Sequence, residues 1–278
     1  MRSCLTIELK RALASKGMAV SALFGLAVVA YYAWVDLAEY AGSTAAFAKE
    51  AALYSSMNFG ADLIWPHWMP MDPFSLHGYL LVLTLPLTAG LPHAGSLFRD
   101  RADGYVRVVC TRVSRGVYLL SKWIATFISG GVVAVVPMLA ALAYALTRYP
   151  FIAPIVGSGH HVAGPGILFA ELFMTHPGAW IMLCMALLFT AGGLLASLGL
   201  AVTFITDHAV VVHLLPMLLL YVIEMLLVAL GQGAFGPFTL IDPARNVHSP
   251  LIALVILLAV LAAASAIPLI RAARTELS

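Results

Sequence analysis

The chain alternates long apolar runs with short polar ones. Six runs, at about residues 17–37, 75–95, 117–146, 179–205, 209–232 and 250–270, are apolar enough and long enough to cross a bilayer as helices. The pattern predicts an all-α membrane protein with six transmembrane helices in a single transmembrane domain over residues 1–278. The third run is long: its 30 residues would extend about 45 Å as a helix, against about 30 Å of hydrocarbon. It must tilt, kink at Pro137, or begin outside the hydrocarbon with Lys122 snorkelling back to the surface.

The polar positions inside these runs carry the functional candidates. The second run holds Pro86 and Pro92 with Gly78, Gly90 and Gly95, so it is predicted to be kinked or broken. Broken spans line transport paths in many carriers; the alternative is a packing kink. The fifth run contains Pro216 and, near mid-depth, Glu224. An acid at that depth either serves a translocation path or a proton, or makes a structural hydrogen bond. Pro86, Pro92, Pro216 and Glu224 are therefore the candidate path residues. In the fourth run, Gly192/Ala196 and Gly193/Ser197 form small-xxx-small pairs that let another helix approach closely.

The segments between the runs read as follows. Residues 3–15 form an amphipathic helix with Leu5, Leu9 and Leu13 on one face and Glu8, Lys10 and Arg11 elsewhere. It is either an interface helix or a basic anchor. Tyr31, Tyr32 and Trp34 make an aromatic belt, and Asp36 and Glu39 mark the outside. Within loop 40–74, residues 44–57 have helical composition, and Trp65 and Trp68 suggest a turn along the interface around His67, to which no ligand role is given. The second outer loop, 147–177, is rich in Gly and Pro. Its adjacent His160 and His161 lack convergent acids or cysteines, so a metal is not indicated; a short helix over 167–174 carries Glu171. Residues 233–249 are an external or re-entrant loop.

Charge orients this scheme. Only 10% of residues are charged and 62% are hydrophobic, so no soluble domain fits. Twelve of the 15 Lys and Arg fall at the two termini and in the stretch from Ser96 to Lys122, leaving Lys49, Arg148 and Arg245 on the other side. This bias predicts that both termini and the central stretch are cytoplasmic. Cys4 and Cys110 then lie on the cytoplasmic side and Cys184 in a span, without a disulfide framework or zinc spacing. Phosphate-loop, HExxH and GxSxG motifs are absent.

The stretch Ser96–Lys122 carries six of the 15 basic residues. Tyr105, Val108, Val109, Val113, Val117 and Leu120 define an apolar helical face, with the arginines largely off it, and Gly104 suits a helix end or tight turn. The order Phe98, Asp100-Arg101, Gly104-Tyr105, Arg107, Arg112, Ser114-Arg115, Tyr118, Lys122 resembles the cytoplasmic loop of ABC-2 type permeases. It differs from many members in lacking a proline before Ser114-Arg115 and in having Asp rather than Glu.

The resemblance implies a permease subunit of an ATP-driven transporter, an exporter, and the apolar composition suits a hydrophobic or amphipathic substrate such as a peptide, lipid or drug. It implies a coupling helix in loop 96–116 that docks on an ABC ATPase, and a second copy or related permease subunit. ATP and Mg would sit on the partner ATPase, with no cofactor on this chain. It further suggests a bacterial cytoplasmic membrane and no nucleic-acid partner. Asp100, Arg101, Asp103, Gly104, Arg107, Arg112 and Arg115 are the expected docking residues. The alternatives are an intramembrane enzyme using Glu224, His213 or the outer histidines, and a non-transporting anchor or sensor subunit.

Overall fold

A computed structural model describes residues 2–53, 64–71, 75–152, 154, 167–206, 208–242 and 251–274. Glu39 lies in this range but its side chain is not described, and His160, His161, Asp207 and Arg245 fall outside the described residues. Among the described residues all regular structure is helical. The helices are α1 (Arg2–Leu13), α2 (Lys16–Leu53), α3 (Ile64–His67), α4 (Leu76–Gly90), α5 (Ser96–Ala102) and α6 (Tyr105–Cys110), then α7 (Arg115–Arg148), α8 (Ala170–Thr175), α9 (Pro177–Val202), α10 (Ala209–Ala229), α11 (Pro237–Ile241) and α12 (Leu251–Arg274).

Five of these are long and apolar enough to cross a membrane: the first part of α2 (Lys16–Ala38), α7, α9, α10 and α12. The second apolar run does not form a sixth such helix. α4 stops after 15 residues at Gly90, about 22 Å of helix, and the chain then turns through 91–95 into α5. Breakage of this run is what its Pro and Gly content predicts. Pro86 stays inside α4, and Pro92 is buried in the turn that follows.

α7 and α9 form the most extensive helix pair. Their contact is built on glycine. A Cβ on Gly130 would strike Ala196 Cβ and lie 2.6 Å from Gly192 O, and a Cβ on Gly192 would lie 2.7 Å from Ala134 Cβ. Gly131 and Gly193 are covered by the rings of Phe189 and Phe127. The small-residue stripe of α9 therefore meets a matching stripe on α7, and dispersion between closely packed backbones holds the pair where lipid supplies no hydrophobic drive. α1, α2, α4 and α12 pack around this axis.

The tryptophans at 65 and 68 point into the protein. Both are buried, in an aromatic cluster with Phe173 and Trp180, and Trp65 Nε1 donates to Ile152 O at 2.9 Å. Asp36 also points inward. It is buried and accepts from Tyr144 at 2.8 Å and Tyr149 at 2.9 Å, with His67 Nδ1 at 2.7 Å. His67 stacks on Tyr149, so it is a structural partner that ties α3 to α2 and to the end of α7. The helix expected near 167–174 is α8, which carries Glu171. Loop 233–249 contributes the short α11.

Candidate functional site

The arginine-rich stretch folds as two short helices with a joint between them. α5 ends at Ala102 with Asp103 as its C-cap, and Gly104 takes a left-handed conformation at φ +69°, which a side chain would strain. α6 then leaves in a new direction and α7 begins at Arg115. The apolar face of α6 differs from the one expected: Val106 is its buried residue, while Tyr105 and Val108 are exposed. A six-residue helix is too short for a face averaged over 105–120, and the break after Cys110 resets the phase.

The front of this unit is charged and open. Asp103, Arg107 and Arg112 are exposed, and Arg115 is half-buried at the start of α7. Arg101 is exposed but anchored. Its Nη1 donates to Thr203 O at 2.8 Å at the end of α9, and its guanidinium lies over the Phe204 ring. A cation there complements the helix's negative end.

The rear is a buried ion cluster joining α1, the 91–95 turn, α5 and α7. Lys122 is fully buried. Its Nζ reaches Glu8 Oε2 at 2.9 Å, Asp100 Oδ2 at 2.8 Å and Ser96 Oγ at 3.1 Å, so all three ammonium donors are used. It does not snorkel, because its counter-charges come to it. Arg11 grips Asp100 with both terminal nitrogens, at 2.7 and 3.2 Å, and reaches Glu8 Oε1 at 3.0 Å. Such two-point guanidinium–carboxylate geometry is the strong form of the bond. His93 Nε2 donates to Glu8 Oε2 at 3.1 Å, and Tyr118 OH donates to Asp100.

Two carboxylates thus face two cations and one imidazole, and burial is compensated by pairing. Burial pushes the Glu8 carboxyl up, but the His93 hydrogen bond, Lys122 and Arg11 outweigh it and hold the group at about 2. Burial raises Asp100 as well, and Arg11, Lys122 and Tyr118 bring it down to about 2. Both remain ionised at neutral pH, so the cluster is a fixed electrostatic joint.

Sequence reasoning placed Asp100 and Gly104 in the loop but not Glu8, Arg11, His93, Tyr118 and Lys122 around them. One signal was available: Lys122 is an ionisable residue in an otherwise apolar run and needs a partner.

The other candidates lie apart. Pro216 is buried in α10. Glu224, one turn pair further along, accepts from Phe238 N at 2.9 Å and Thr239 Oγ1 at 3.1 Å, at the start of α11. It caps that short helix and fills the space a Cβ on Gly236 would need. His213 packs against Gly90 and Gly95, and its Nδ1 is buried without a hydrogen-bond partner. Among the described residues no group of three or more His, Cys, Asp or Glu could hold a metal.

No protein-family model, curated protein or solved structure matches the chain.

Proposed function

We propose that this chain is the membrane subunit of an ATP-driven transporter of the ABC-2 type, and that loop 96–116 is where an ATPase docks. Counting the broken run of α4 as a span gives six spans, with α1, the arginine loop and the end of α12 on the cytoplasmic side. This matches the charge bias.

The observation that carries the reading is the two-sidedness of the loop. Its exposed side presents Arg107 and Arg112, and its hidden side is bonded through Asp100 to α1 and α7. A docking element must be open to its partner and stiffly joined to the helices it moves. An ordinary positive-inside loop needs only the charge. Force applied at α6 would reach α7 through Arg115 and through the Asp100–Lys122 bond, and α9 through Arg101.

The Glu224 geometry favours a structural role for that residue over one in the path, so the path proposal rests on the breaks at Pro86 and Pro92 and on Pro216. The substrate class, a hydrophobic or amphipathic molecule, follows from the apolar composition alone.

The test is co-purification with an ABC ATPase encoded beside this chain. Reversing Arg107 and Arg112 to Glu should abolish association while membrane insertion and thermal stability persist. Unchanged association of the double variant overturns the docking assignment.

A further inference from the structure

α7 begins at Arg115 and α12 ends at Arg274, and these ends lie side by side: a Cβ on Gly116 would stand 3.9 Å from Ala273 Cβ, and Trp123 Nε1 donates to Ser265 Oγ at 3.3 Å. Between them lies a cleft of about 320 Å³ lined by Gly116, Leu119, Leu120, Trp123, Leu269 and Ile270, among other apolar residues. Leu120 and Ile270 are about half exposed, at 45% and 51%, so the cleft opens sideways to the surroundings. Its mouth is basic. Arg115 precedes Leu119 by four residues and Arg274 follows Ile270 by four, which puts each arginine on the cleft-lining face of its helix, one turn beyond the apolar floor. Arg271 and Arg274 are exposed. The first backbone N–H groups of the 34-residue α7 receive no cap from the Ser114 side chain, and an uncapped helix start favours an anion.

We propose that this cleft is a binding site for one anionic phospholipid, with an acyl chain along the apolar floor and the phosphate on Arg115 and Arg274. The charge of the mouth selects this occupant. A second copy docking through the same face would bring three arginines toward their own equivalents. A tail gains little by leaving other tails for the cleft, since both are hydrocarbon. Selectivity therefore comes from the headgroup, as in other basic pockets at the ends of membrane helices. On the topology proposed above the mouth faces the cytoplasmic leaflet, where anionic lipids concentrate. The site itself requires neither an ATPase nor transport.

Trp123 lines the cleft and reports on it. The full chain is placed in bilayer discs of phosphatidylcholine, with brominated phosphatidylglycerol or brominated phosphatidylcholine titrated in. Subtracting the Trp123→Phe signal isolates quenching of Trp123. The expected result is a preference for phosphatidylglycerol on the order of tenfold, lost in Arg115→Gln/Arg274→Gln and kept in Arg107→Gln. If the double variant does not fold, high salt should remove the preference from the unaltered chain. Equal quenching by both lipids means ordinary boundary lipid and overturns the proposal. So does a Trp123 signal that neither lipid quenches, which means that protein covers the cleft. Neither result bears on ATPase docking.

Discussion

Glu8 and Lys122 are 114 positions apart in the chain and 2.9 Å apart in space, both out of reach of solvent. Burying a lysine costs several kcal/mol unless its charge is met. Here it is met by Glu8 and Asp100. Lys122→Met should leave two buried carboxylates sharing Arg11 as their one full cation, beside the His93 and Tyr118 hydrogen bonds. The expected cost is about 3–5 kcal/mol, read as a lowered melting temperature in detergent. Adding Glu8→Gln to Lys122→Met removes the stranded charge and should recover part of the loss. A double variant no more stable than Lys122→Met would mean the two groups are not coupled.

The cluster also fixes a pH response. Glu8 and Asp100 have folded-state values of about 2, below their ordinary 4.5 and 3.8. A depressed carboxyl contributes stability that is complete above its unfolded value and is lost as pH falls toward the folded one. Melting temperature should therefore hold steady above about pH 4.5 and decline between there and pH 2. Glu8→Gln should start lower and decline less over the same window. An equally steep decline in the variant would remove Glu8 as its cause.

Gly130→Ala tests the central helix pair. The new methyl meets Ala196 Cβ and stands 2.6 Å from Gly192 O. Backbone atoms cannot move aside as a side-chain tip does, so α7 and α9 must separate. The expected loss is about 1–3 kcal/mol. Gly178→Ala, where a Cβ meets nothing within 4 Å, is the control and should be near neutral. Equal melting temperatures for the two variants would contradict the close packing.

Glu224→Ala should cost about 1–3 kcal/mol by leaving the buried Phe238 N–H unpaired. Glu224→Gln keeps an acceptor and should cost less. The same pair separates structure from transport. If Glu224→Gln abolished transport in liposomes with stability unchanged, the capping role would be insufficient and the residue would belong to the path.

The apolar runs made most of the fold legible. Residues 117–146, 179–205, 209–232 and 250–270 appear as α7, α9, α10 and α12 with shifted ends, and the glycine pairs of α9 announced its close contact. The broken second run was visible in Pro86, Pro92 and Gly90, though its 15-residue helix was not. Long-range pairing was hidden. Nothing in the local pattern around Glu8 tells that Lys122 will meet it, or that Asp36, next to an aromatic belt, will turn inward to Tyr144 and Tyr149. Periodicity reports which face of a helix is greasy. It does not report which distant charge neutralises a polar residue on that face, and it fails on a helix as short as α6.

The cluster has a consequence for biogenesis. Glu8 and Arg11 leave the ribosome before His93, Asp100 and Lys122, so until those are made they pair only with each other. The joint therefore closes in stages, first onto His93 and Asp100 and then onto Lys122. Its completion requires α7, so a chain truncated before Lys122 lacks the cation that both carboxylates share.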